Sequence, residues 1–187
     1  MEHLFFHSNW HTQVPPSLSN AQKSWLMRPG ALTAGLRLLG HVSLHVIRER
    51  PEGLSRDESG GIKRVPRSPV WVREVLMSID GTPCVFARSL TPLRASHGTW
   101  QGIRKLRNRP LADILYHEPS IRRSDFEVAR IQRHMPLHDT YWQTHPKPSP
   151  ASATLLARRS VFWRSGQPLL VSECFLPAFW RMLIAYY

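Results

Sequence analysis

Two charges stand where the local pattern calls for apolar side chains. Within Val70 to Met77, the residues Trp71, Arg73, Val75 and Met77 share one face of an extended chain, because side chains along a strand alternate between its two faces. Near the C-terminus, Leu169, Val171, Glu173 and Phe175 repeat this arrangement with a carboxylate in place of the cation. A guanidinium in such a row is suited to grip a carboxylate through two parallel charge-assisted hydrogen bonds. A carboxylate among large apolar groups is suited to share a proton with a ligand hydroxyl or to accept a hydrogen bond from it. The structural alternative is an Arg73–Glu173 ion pair, or a strand face that is simply solvated. Removing one partner of a buried pair costs roughly 3 to 5 kcal/mol, so intruding charges are seldom left alone.

Other reactive side chains offer less. Of the ten histidines, His134, His138 and His145 lie in loop-like sequence without metal-ligand spacing, and no metal site is expected. Cys84 and Cys174 are far apart and sit inside apolar runs, which fits buried free thiols better than a disulfide framework or a zinc site.

The elements that must carry Arg73 and Glu173 can be read from periodicity. Val70 to Ile79 and Cys84 to Leu90 are β-rich runs separated by Asp80-Gly81-Thr82-Pro83, and Asp-Gly between such runs signals a hairpin. Arg159 to Arg164 and Leu169 to Leu176 form a second pair around Ser165-Gly166-Gln167-Pro168. An earlier strand is expected from His41 to Arg48, where Val42, Leu44 and Val46 alternate with polar neighbours. Short helices are expected at Ser24 to Leu26 and from Ala31 to Leu39, joined by Pro29-Gly30. Another helix-turn-helix spans Trp100 to Tyr116, broken at Asn108-Arg109-Pro110, since proline is accepted in the first turn of a helix and not inside one. Ser124 to Arg133 reads as a short strand-like element, Pro51 to Pro69 as a mobile loop, and the Pro- and Ser-rich stretch from Met135 to Ala153 as an excursion from the core. Strands grouped with helices segregated between them indicate an antiparallel α+β domain. Residues 1–20 read as a loosely ordered N-terminal lead-in and residues 21–187 as one domain.

Charge is the unusual bulk property. Lys and Arg number 25 against 13 Asp and Glu, a formal net charge of +12. Such an excess attracts polyanions and small dianions alike. The arginines are spread from Arg28 to Arg181 rather than gathered in one arm, which argues against nucleic acid as the principal partner. The opening MEHLFFHSNWHTQVPPSL lacks a basic region followed by an apolar stretch, and no apolar run reaches about 18 residues. A cytoplasmic bacterial protein without stable membrane insertion is expected.

Three blocks carry a resemblance. VWVREVLMSIDGTPCVFARSLTP, the RPLADILY segment and ARRSVFWRSGQPLLVSECFLPAFW together resemble the chorismate pyruvate-lyase family of ubiquinone biosynthesis, over most of Ser24 to Trp180. Three matching blocks in order are more specific than any one short motif. The resemblance implies a single antiparallel sheet whose concave face holds the ligand under two helix-turn-helix flaps. It implies the cleavage of chorismate to 4-hydroxybenzoate and pyruvate without a cofactor, by a monomer whose small-molecule partners are that substrate and that product. The family's ligand contacts match the side chain of Arg73, the backbone amide of Leu111 and the side chain of Glu173, with a further backbone contact near Leu32 in GALTAGL. A flat acid buried beneath flaps is expected to leave slowly, so product inhibition is expected. Two features depart from the family pattern, the longer Met135 to Ala153 region and the RMLIAYY tail. A non-catalytic ligand sensor of the same architecture and a basic nucleic-acid binder are the competing classes, since fold alone does not assign an activity.

Overall fold

The computed structural model describes residues 9–144 and 155–186. Its centre is one antiparallel sheet. In chain order the strands are β1 (Val42–Gly53), β2 (Pro69–Ile79), β3 (Thr82–Pro92), β4 (Arg122–Arg123), β5 (Glu127–Arg130), β6 (Leu156–Arg164) and β7 (Gln167–Phe175). They lie side by side as β1-β2-β3-β7-β6-β4, with β5 also paired to β6. The helices are α1 (Asn20–Leu26), α2 (Leu32–Leu36), α3 (Arg56–Ile62), α4 (Ala112–Leu115), α5 (Pro136–Thr144) and α6 (Pro177–Tyr186).

Both expected hairpins form, with tighter turns than the sequence suggests. Ile79 pairs with Thr82 and Arg164 with Gln167, so each loop is two residues long. Asp80 and Gly81 have φ of 47° and 79°, and Ser165 and Gly166 of 48° and 71°. Positive φ at both central residues gives the turn whose twist matches that of the flanking strands.

Front and back of the sheet are covered differently. The front carries Val75, Met77, Val85 and Phe175 against α1, α2 and α6, with Trp25, Leu26, Leu36, Phe179 and Leu183 in that cluster. Further along the same face, Trp71, Phe162 and Leu169 pack under Trp100, Ile103, Leu106 and Leu115 of the segment leading to α4. Two covers on one face leave a space between them.

Several expectations are corrected. Residues 51–69 are not a mobile loop: β1 continues to Gly53, and α3 packs Ile62 against Val72, Leu90 and Leu170 on the back face. Ionic contacts hold the rest of this segment, where Arg88 donates to Glu58 at 2.6 Å, to Glu74 at 2.7 Å and to Glu52 at 2.9 Å. Burial opposes the Arg88 charge, but Glu58, Glu74 and Glu52 together hold its pKa above the ordinary value. The lead-in is also firmer than expected. Trp10 is 4% exposed, His11 bridges Val128, and Ser19 and Gln22 form a capping box that starts α1. Residues 1–8 lie outside the described residues. The Pro-rich excursion begins as α5, which buries Leu137 and Tyr141 against Phe86 and Cys174; residues 145–154 lie outside the described residues. Residues 181–186 of the RMLIAYY tail belong to α6, whose Leu183 is buried, and Tyr187 lies outside the described residues.

Candidate active site

Sheet register decides which side chains meet. Arg73 lies opposite Ser89, and Ser89 opposite Val171, which lies opposite Ser160. The adjacent row runs from Val75 through Ala87 and Glu173 to Arg158. Arg73 and Glu173 therefore face the same way, one row apart with β3 between their strands, and they are not each other's ion-pair partner. Between the two flaps above them lies a cavity, whose empty volume together with open solvent at its mouth is about 620 Å³. Arg73, Glu173, Leu32 and Leu111 all line it, together with Tyr116, Arg123 and Arg158.

Each of the two charges has its own partner. Arg73, 1% exposed, donates from Nε to Glu49 at 2.9 Å and from Nη2 to the carbonyls of Arg107 at 2.7 Å and Arg109 at 3.2 Å. Glu49 reaches it because of a register shift in β1 between Val46 and Arg48. One extra residue in a strand turns the side chains beyond it to the other face, so Arg48 pairs with Glu74 on the back while Glu49 meets Arg73 on the front. Burial lowers the Arg73 pKa, with Glu49 acting the other way; an arginine so placed still carries its charge. Its Nη1 donates to none of the described residues, and it belongs to a side chain that lines the cavity.

Glu173 accepts from Arg158 Nε at 2.6 Å. The same guanidinium donates from Nη1 to the carbonyls of Arg28 at 2.8 Å and Trp25 at 3.3 Å. Each flap turn is thus fastened from below by a buried arginine: Arg158 holds the chain between α1 and α2, and Arg73 holds the turn before α4. Tyr116 Oη donates across the top to the Gly30 carbonyl at 2.8 Å, tying one flap to the other. Burial and the nearby Glu173 raise the Tyr116 pKa, against the opposing pull of Arg123 and Arg158; the hydroxyl keeps its proton near neutrality.

Leu32 opens α2, and Leu111 stands at the N-cap of α4 directly after Pro110. Amides at these positions have no carbonyl to bond within the helix they begin, so both are available to a ligand in the cavity they line. The rest of the lining is largely apolar, including Leu44, Val75, Met77, Leu115, Phe126, Phe162 and Val171. Among the described residues, no group of three His, Cys, Asp or Glu side chains is placed to hold a metal ion. His134 instead hydrogen-bonds Asn9, and His138 bonds the Trp142 indole; His145 lies outside the described residues.

Sequence reasoning located four lining residues and missed Arg158, Glu49, Tyr116 and Arg123. A signal existed for Arg158: two consecutive arginines in a strand must point to opposite faces. Arg159 turns to the back and pairs with Glu127 at 2.7 Å, and Arg158 turns to the cavity. The others depend on the β1 bulge and on flap contacts that no local pattern encodes.

Such a site defines a small-ligand-binding domain: one antiparallel sheet, two tethered flaps, and an apolar chamber with few polar groups. The fold is similar to that of the effector domain of PhnF from Mycobacterium smegmatis, with a TM-score of 0.52 at 11% identity over 80% of this chain and 90% of that one. It is also similar to a GntR-family transcriptional regulator from Bacillus cereus, with a TM-score of 0.52 at 11% identity over 73% of this chain and 92% of that one. These likenesses are of fold alone. Sequence narrows the class: the chorismate lyase family model matches residues 7–184, and the chain belongs to that family. A relative from Bordetella pertussis named "Probable chorismate pyruvate-lyase" is 60% identical over 92% of this chain and 90% of its own length. Relatives of that name include one from Bordetella avium at 55% identity, covering 93% and 86%, and one from Pseudomonas fluorescens, numbered 1, at 40%, covering 91% and 90%. Among the described residues no helix is long and apolar enough to cross a membrane.

Proposed function

We propose that the cavity converts chorismate to 4-hydroxybenzoate and pyruvate, with Arg73 gripping the ring carboxylate and Glu173 facing the C4 hydroxyl. The observation that carries this reading is the position of those two side chains, on one face of the sheet and one row apart in the same chamber. Arg73 Nη1, with the amides of Leu111 and Leu32, supplies donors for a carboxylate at one end. The Glu173 carboxylate, oriented by Arg158, accepts from a hydroxyl at the other.

The reaction asks little more of the protein. Cleavage of the C3–O bond leaves its electron pair on the ether oxygen as the enolate of pyruvate, which takes up a proton. The C4 hydrogen leaves as a proton, its bonding electrons complete the aromatic ring, and the C4 oxygen is retained in the product. A site for this step fixes the conformation and stabilises developing charge, which a chamber with few polar groups and fixed cations can do. The same reading has the protein acting without a cofactor, as a monomer in the bacterial cytoplasm, at the first committed step of ubiquinone biosynthesis, with no nucleic-acid partner.

Release of pyruvate from chorismate, followed by a coupled assay, tests it. The purified protein should produce pyruvate and 4-hydroxybenzoate in equal amounts, and Arg73→Ala should lower kcat/KM at least about tenfold through loss of a charged contact. Absence of pyruvate from the wild-type reaction refutes the activity. Unchanged kinetics in Arg73→Ala refute the assignment of that residue.

A further inference from the structure

Chorismate carries two carboxylates, and Arg73 accounts for one. With the ring carboxylate on Arg73 and the C4 hydroxyl at Glu173, the substituent on C3 stands beside the Glu173 end of the chamber, so its carboxylate needs a cation there. Arg158 is the nearest, but its charge is already balanced by Glu173; its Nε bonds that carboxylate and its Nη1 the Arg28 and Trp25 carbonyls, which leaves only Nη2 without a partner among the described residues. Arg123 is in a different situation. It pairs with Phe162 across β4 and β6, which puts it on the same face as the cavity-lining Phe162, and it is both exposed and part of the lining, at the rim.

Among the described residues Arg123 has no carboxylate partner. Its contacts are a donation from Nη1 to Tyr116 Oη at 3.2 Å and stacking of the guanidinium on Phe126, with Cζ 4.2 Å from the ring centre. Phe126 also carries the Arg158 guanidinium, at 4.3 Å, so one ring holds the cation paired with Glu173 and the cation without a carboxylate partner at the same end of the chamber. Tyr116, which senses Arg123, Glu173 and Arg158 electrostatically, marks that end too. A planar guanidinium held by stacking keeps its remaining N–H groups free for a bidentate anion.

We propose that Arg123 receives the carboxylate of the enolpyruvyl group and so makes the site prefer the dicarboxylate substrate over the monocarboxylate product. This inference rests on the chorismate reading above and adds a specificity-determining residue to it. Product formation then removes one of two anionic anchors, and pyruvate, the fragment bound at the rim, leaves first.

The test separates substrate from product. In Arg123→Gln, KM for chorismate should rise roughly tenfold with loss of a charge-assisted contact, while the inhibition constant for 4-hydroxybenzoate stays within about twofold of wild type, since that ligand never reaches the rim. Arg123→Lys, which keeps the charge but loses the planar, stacked fork, should recover only part of the chorismate affinity. An unchanged KM, or a parallel loss for chorismate and 4-hydroxybenzoate in Arg123→Gln, overturns the proposal, the second outcome being what a purely structural residue gives. If Arg123→Gln does not fold, the ionic-strength response of the wild type decides: added salt should weaken chorismate more than 4-hydroxybenzoate, and equal weakening overturns the inference. Failure of the wild type to release pyruvate would instead overturn the underlying reading.

Discussion

Replacing Arg158 by methionine isolates the contact on which both flap position and Glu173 depend. The wild-type pair is short, 2.6 Å, with the Arg158 side chain 1% exposed and that of Glu173 15% exposed. Removing one partner of such a pair costs about 3 kcal/mol, the lower end of the usual range because Glu173 retains some water. Loss of the donor to the Arg28 carbonyl adds roughly 1 kcal/mol. For a chain of this size each kcal/mol lowers Tm by about 2 to 4 °C, so Arg158→Met should melt on the order of 10 °C below wild type. The double variant Arg158→Met with Glu173→Gln should recover at least about 2 kcal/mol relative to the sum of the single variants, because no charge is then left unpaired. Urea titrations of the four proteins of this cycle measure the coupling. Single-variant losses that simply add would refute the claim that the two side chains act as a pair, and a wild-type Tm in Arg158→Met would refute its role in holding the first flap.

Cys84 and Cys174 are buried, and burial pushes both thiols up, Cys174 to about 12; a thiol reagent should therefore label neither in the native protein near pH 8 and both in denaturant, and rapid native labelling would contradict the packing of β3 on β7. Burial of Glu52 disfavours its charge, yet Arg88 and Arg50 outweigh this and hold its carboxyl below the ordinary 4.5. A depressed folded-state pKa gives stability that is present above the unfolded value and lost as pH falls through the folded one, so the urea midpoint should drop as pH falls below about 4.5 and Glu52→Gln should flatten that slope. Addition of 4-hydroxybenzoate should inhibit competitively, as expected of a product held under tethered flaps. Tyr116→Phe, which removes the bond to Gly30, should relieve part of that inhibition by speeding release, and unaltered inhibition would show that this tether does not limit opening.

The range of each interaction determines whether it can be read from the sequence. Period-two alternation in β2 and β7 depends on neighbours two residues apart, so the faces of Arg73 and Glu173 were legible, as were both hairpins through Asp80-Gly81 and Ser165-Gly166. The two flaps were legible from helical spacing and Pro29-Gly30, although the second is built of 3-10 turns before the short α4. Pairing was not legible. Arg73 takes Glu49 because of a bulge in β1, and Arg158 takes Glu173 while reaching carbonyls of Trp25 and Arg28 far away in sequence. The segment around α3 looked like a loop because Gly60 and Gly61 are poor helix formers; tertiary burial of Ile62 and the ionic contacts of Glu58 override that preference.

A crystal structure of the protein with 4-hydroxybenzoate tests the central claim most directly. The ring should lie in the chamber between β2 and β7, its carboxylate on Arg73 Nη1 and the amides of Leu111 and Leu32, and its hydroxyl within hydrogen-bonding distance of Glu173. A ligand bound in the reverse orientation, or outside the chamber beneath the flaps, would contradict the account.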